Sequence, residues 1–76
     1  MVHAFIMVKT AAGQSEGLLS AIRDIERVGD AHIVAGNYDI IAEVDADEVY
    51  EVFQAVSNDI QGLDGVMDTK TYIGLD

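Results

Sequence analysis

Seventy-six residues, half of them hydrophobic, make one domain, and a single core of that size yields only a few kcal/mol of net stability. The sequence has no cysteine, which excludes disulfides and thiolate metal sites, and its two histidines, His3 and His32, argue against a structural zinc site. Fourteen acidic residues outweigh four basic ones (Lys9, Arg23, Arg27, Lys70); a net charge of −10 leaves no basic face to neutralise phosphates, so direct nucleic-acid binding is not expected.

Val2–Lys9, VHAFIMVK, is rich in β-formers and too short for a useful helix, which predicts a strand. Val2, Ala4, Ile6 and Val8 alternate onto one face, with His3, Phe5, Met7 and Lys9 on the other. Both faces are apolar in the middle, whereas a sheet with a wet back would show polar alternation. The second face therefore needs a cover that so short a chain does not supply.

In AAGQSEGLLSAIRDIERVG, residues Leu18, Leu19, Ile22, Ile25 and Val28 recur at helical spacing, with Gly29 as the stop. Ser15 is the candidate N-cap; Glu16 suits the positive end of the helix, and Arg23 and Arg27 the opposite pole. Asp30–Ala35 predicts a short strand, Gly36–Asp39 a turn, and Asp39–Asp45 the next strand.

A second helix follows in DADEVYEVFQAVSNDIQG. Asp45 and Glu48 resemble a capping box, Val49, Val52, Phe53, Val56 and Ile60 form one apolar stripe, and Gly62 closes it. Gly65–Leu75 is the last strand, with Met67, Thr69, Thr71 and Ile73 on one face and Val66, Asp68, Lys70 and Tyr72 on the other. The order β-α-β-β-α-β predicts an α+β, ferredoxin-like sandwich: a four-stranded antiparallel sheet with both helices on one face. The uncovered face is left to a partner subunit, and a sheet-to-sheet dimer is the economical solution.

Among residues able to carry chemistry, His3 and His32 lie on separate strands with no carboxylate at helical metal-ligand spacing, and read as interface or edge histidines. Asp45, Asp47, Glu48 and Glu51 cluster, but lack the regular oxygen ligands and glycine of a calcium loop, and acids are favoured in a first helical turn anyway. No Gly-rich phosphate loop or nucleophilic triad is present. Phe53, Met67 and the apolar helix stripes read as core. No metal or cofactor is expected.

The turn GNYD, Gly36–Asp39, holds more than a hairpin requires. Gly36 or Asn37 tolerates positive φ and Asp39 can cap the turn, but neither role explains Tyr38. A large amphipathic ring at a turn tip is suited to recognition. Exposed turn amides could take the carboxylate of a small zwitterion, and Asp39 its ammonium.

No apolar run approaches the ~20 residues that span a bilayer, and MVHAFIMVKT does not read as a signal peptide. A cytoplasmic protein without a membrane partner is expected. Few lysines and many carboxylates also suit very high salt, where repulsion is screened to within about 3 Å at 1 M, and a halophilic source is expected.

With AFIMVKT at the start, GNYDIIAEV in the centre and IQGLDGVMDTKTYI at the finish, the chain resembles, over nearly its whole length, the RAM domain of the Lrp/AsnC feast/famine transcription regulators. The central glycine-x-tyrosine-aspartate is the most specific match. The resemblance implies a single RAM domain over residues 1–76, a homodimer formed through the sheets, and higher oligomers. It also implies an amino acid or similar small effector bound at contacts between dimers, near the central turn and last strand. Carried over by position, Gly36, Tyr38 and Asp39 match the turn motif, Asn37 fills a variable position within it, and Thr69 and Thr71 match the final-strand threonines.

The sequence departs from the full-length family pattern in having no helix-turn-helix. The expectation is a stand-alone, non-catalytic effector-binding and oligomerisation module acting indirectly in regulation, with a full-length Lrp/AsnC relative as a candidate partner. Two alternatives stand beside it. One is a small dimeric α+β barrel enzyme using a histidine in a cavity between sheet and helices. The other is a purely structural partner of a full-length regulator.

Overall fold

The first strand, β1 (Val2–Thr10), pairs antiparallel on both sides and so becomes an inner strand of the sheet. The computed structural model describes residues 1–76, the side chain of Ser57 excepted. The elements that follow are α1 (Ser15–Arg23), β2 (Val28–Ile33), β3 (Ile40–Ala46), α2 (Val49–Gln54) and β4 (Val66–Ile73), with a π-helical continuation of α2 over Ala55–Ile60. The strand order is β2-β3-β1-β4 with every neighbour antiparallel. This is the ferredoxin-like β-α-β-β-α-β arrangement expected from the sequence.

Alternation sorts the sheet into two unlike faces. Ala4, Ile6 and Val8 of β1 and Ile40, Ala42 and Val44 of β3 are fully buried under the helices, where Leu18, Ile22, Val52, Val56 and Ile60 meet them. Ile6, Ile22, Ile60 and Val52 thus fill the space between sheet and helices. On the open face the register aligns Asp30, Glu43, Phe5 and Tyr72 across the four strands, and His32, Ile41, Met7 and Lys70 beside them. Phe5 and Tyr72 remain exposed there.

Several boundaries differ from the sequence reading. The first helix stops at Arg23, five residues before Val28. The Arg23 guanidinium donates to the Ala31 carbonyl through Nε (3.1 Å) and Nη2 (2.8 Å), tying the helix end to β2. Val28 then opens the strand opposite Val44, and Gly29 lies inside β2 at a register shift instead of ending a helix. Its spacing fits a helix and a strand equally well, and pairing with Val44 decides between them. Nor does Ser15 cap α1: Gln14 holds the N-cap position, while Ser15 Oγ hydrogen-bonds Thr10 Oγ1 at 2.9 Å.

The capping interaction of α2 lies three residues later than expected. Glu51 Oε1 accepts from the N–H groups of Glu48 (3.1 Å) and Asp47 (3.0 Å), closing orphan donors at the helix start. Arg27 reaches the other oxygen at 3.2 Å, and this contact first, then the Glu48 N–H, holds the Glu51 carboxyl below its ordinary range.

The expected core stripe is rotated. Val52, Ala55, Val56 and Ile60 are buried, while Phe53 is 51% exposed and Val49 and Tyr50 are exposed with it. Small Ala55, not Phe53, faces the sheet. The Gln61 N–H donates to Val56 C=O at 2.8 Å, an i→i+5 bond that winds this turn wider than an α-helix and still delivers Ile60 to the core. Met67 is likewise exposed, at 67%. A register shift between Lys9 and Thr10 sets Val66 opposite Thr10, so Val66 packs on the core and the expected alternation begins only after Met67.

Replacing Ile60 with alanine is expected to cost about 2–5 kcal/mol, and Phe53→Ala less than about 1 kcal/mol, by urea unfolding of each variant. Equal losses would contradict the observed rotation of α2.

Candidate functional site

The segment between β2 and β3, Val34–Asp39, is a six-residue loop, longer than the expected turn Gly36–Asp39. Its base is closed by the Val34 N–H donating to Asp39 C=O at 2.8 Å. Three further bonds fasten it to the end of β1. The Asp39 N–H donates to Val8 C=O (2.9 Å), the Thr10 N–H to Asp39 Oδ2 (2.8 Å), and Lys9 Nζ to the Asn37 carbonyl (3.2 Å).

Positive φ does not occur at Gly36 or Asn37; among the described residues only Gly13 and Gly65 adopt it. The loop turns by length and anchoring, without a left-handed residue. Asp39 caps the neighbouring strand through Thr10 instead of its own turn.

Gly36, Asn37 and Tyr38 form one wall of a surface depression of about 430 Å³ on the open sheet face. Met7, Lys70 and Tyr72 supply the facing residues. Lys70 Nζ stands 5.7 Å from the centre of the Tyr72 ring, a cation–π distance. The depression combines one ammonium, two phenol rings, a thioether and loop backbone. That set suits a small molecule with a carboxylate and an apolar body.

The remaining expected site residues stand elsewhere in the chain. Asp39 does not line the depression. Thr69 and Thr71 lie opposite Val8 and Ile6, on the helix side of the sheet, while Lys70 between them faces the loop. Thr69 Oγ1 accepts from Gln61 Nε2 at 2.8 Å. Within one chain, then, the turn residues and the threonines do not meet. The sequence pattern does not single out Lys70, Tyr72 or Met7 as site residues; the alternation that puts Lys70 and Tyr72 on one face is the one signal it holds for them.

Both histidines sit on the open face, outside the helix–sheet interior. His3 Nδ1 contacts Asp45 Oδ1, and its Nε2 lies 3.4 Å from Glu43 Oε1. The Asp45 hydrogen bond is the larger cause pushing this imidazole above its ordinary value, with the charge of Glu43 adding to it. His32 Nε2 is 2.9 Å from Asp30 Oδ2; the Ala31 N–H first, and His32 second, hold the Asp30 carboxyl low. The acidic cluster around the start of α2 is divided between these roles, with Glu51 capping and Asp45 pairing.

The family model described as the Lrp/AsnC ligand binding domain matches residues 3–76. The crystal structure of a Thermus thermophilus protein has a TM-score of 0.96 at 29% identity, over 100% of this chain and 95% of that one. AsnC of E. coli has a TM-score of 0.91 at 25% identity, over 99% of this chain and 51% of its own. A transcriptional regulator of Neisseria meningitidis, in complex with L-Met, has a TM-score of 0.87 at 18% identity, over 99% of this chain and 50% of its own. This chain thus spans about half the length of those two regulators, and the likeness to the second is one of fold. A search of curated proteins found no match.

Two outcomes follow from this geometry. Asp39→Ala leaves the nearly buried Thr10 N–H without its acceptor and is expected to destabilise by about 1–3 kcal/mol, read by denaturant unfolding; Asp39→Asn keeps an oxygen there and loses less. His3 titrates above the ordinary value of 6.5, so its stabilising contribution is complete below that value and disappears as pH rises through the raised one. An NMR titration of the His3 ring reads this midpoint, and Asp45→Asn lowers it. A midpoint at or below the ordinary value would contradict the pairing.

Proposed function

This chain belongs to the Lrp/AsnC family as its ligand-binding domain, and on that premise we propose that it binds an amino acid in the depression between the Val34–Asp39 loop and β1 and β4. The observation that carries this reading is the position of Lys70 opposite the Gly36–Tyr38 wall. Lys70 takes the effector's carboxylate, the phenols of Tyr38 and Tyr72 flank it, and Met7 contacts the apolar part. The L-Met complex of the Neisseria meningitidis regulator supports the ligand class.

Binding is coupled to assembly. The exposed Phe5 and Tyr72 and the half-buried Met7 and Ile41 of the open face support a sheet-to-sheet homodimer. Because both threonines lie on the helix side of the sheet, only a copy from a second dimer, and not the sheet-to-sheet partner, would bring Thr69, Thr71 or Asp39 to the effector. A ligand that favours one oligomer shifts the population toward it. With a net charge of −10, this domain acts on DNA only indirectly, through co-assembly with a DNA-binding relative.

The role is non-catalytic. The filling of the helix–sheet space by Ile6, Ile22, Val52 and Ile60 supports this over the α+β barrel enzyme, as does the position of both histidines on the opposite face. Among the described residues, no helix is long and apolar enough to cross a membrane.

The test is a thermal-shift screen of the amino acids at high salt, where repulsion among the carboxylates is screened. A cognate effector at about 100 times its Kd stabilises by about 2.7 kcal/mol, a shift on the order of 10 °C for so small a domain. Lys70→Gln, which leaves the core untouched, is expected to weaken binding about tenfold or more through loss of a charge-assisted bond. No response to any amino acid would sink the ligand class; a response undiminished in Lys70→Gln would sink the site.

A further inference from the structure

A second group of polar side chains occupies the other end of the open face, at the β2–β3 edge. The antiparallel register sets Asp30 directly opposite Glu43, and His32, two residues along β2, shares their face. One ligating atom from each of Asp30, His32 and Glu43 lies within 4.8 Å of the other two. Like charges placed directly across a strand pair repel. Among the described residues no lysine or arginine lies within salt-bridge distance of either carboxylate, and Arg23 acts on Asp30 only from farther off; Asp30 has His32 at 2.9 Å and Glu43 has His3 at 3.4 Å. The sheet therefore holds two opposed carboxylates beside an imidazole, in a chain that already carries a large negative charge.

We propose that Asp30, His32 and Glu43 form a binding site for a divalent transition-metal cation of the Zn²⁺ type. Two carboxylates and a neutral imidazole supply two negative charges to a doubly charged ion. The imidazole selects zinc-like metals over magnesium and calcium, which prefer all-oxygen sets. At metal–ligand distances of about 2.0–2.2 Å, ligand atoms of a tetrahedral site stand about 3.5 Å apart. In the single chain Asp30 and His32 are exposed and Glu43 is half-buried, so small rotations bring the three to that spacing; the sheet-to-sheet dimer proposed above sets this same face against a second copy.

Three protein ligands leave a fourth position open to water or to a donor from another molecule. His3 stands outside the group, and its Nε2, 3.4 Å from Glu43 Oε1, is placed to orient that carboxylate. The site is separate from the Lys70 depression, and its test is independent of any effector.

Zn²⁺ titrated calorimetrically into the native protein, in chelator-free buffer near neutral pH, tests the proposal, with Co²⁺ absorption as a second readout of coordination. One ion per chain is expected, with the intense visible bands of tetrahedral Co²⁺ and no displacement by excess Mg²⁺. His32→Ala and Glu43→Gln are each expected to weaken Zn²⁺ binding about tenfold or more. Asp59→Asn, an acid outside the group, leaves it unchanged. Circular dichroism checks that the surface variants stay folded, and Asp30→Asn replaces any that does not. Absence of binding up to millimolar Zn²⁺, or affinity undiminished in both ligand variants, would overturn the site.

Discussion

β1 lies between β3 and β4, and its register on each side decides which side chains meet on either face. Ile6 stands opposite Ala42 on one side and Thr71 on the other, and a slip of one residue would exchange the buried and open faces. Complete burial of Ala4, Ile6 and Val8 holds that register against slippage. The open face follows from it. Glu43 and Asp45 come beside His3, Lys70 and Tyr72 come beside Met7, and the Val34–Asp39 loop lands on the backbone of Val8 and Thr10.

The strands are readable because period-two alternation and β-branched residues speak for themselves over short runs. Both helices are readable in kind but not in extent. Val28 fits a helical stripe and a strand equally well, and only Arg23 anchoring to the Ala31 carbonyl and pairing with Val44 decide it. Phe53 fits an apolar stripe, yet rotation toward Ala55 and the wider turn before Ile60 leave it outside the core. Such choices rest on contacts between distant segments, which a local pattern does not contain.

The same limit applies to the sites. Tyr38 stands out as surplus to a turn, and it does line a depression. Its companions Met7 and Lys70 come from strands far off in sequence and meet it only through register. Asp30 and His32 stand two residues apart, the spacing that shares a strand face, and Glu43 joins them only through the register of β3. The open face thus carries two chemically distinct ends: cationic and aromatic toward β4, and acidic with imidazole toward β2. Phe5 and Ile41 lie between them. The depression proposed for the effector and the proposed cation site occupy different parts of one surface.

The loop between β2 and β3 is held at its two ends, and its middle is tied only through the backbone carbonyl of Asn37, which accepts from Lys9. Val34 and Asp39 carry the closing bonds, while no residue between them needs a left-handed backbone and a side chain at Gly36 would meet open space. Residues 35–38 are therefore free to diverge among descendants of this chain, so long as Asp39 stays. Foldability rests on the two ends of the six-residue segment, and the side chains between them can change without the scaffold being rebuilt.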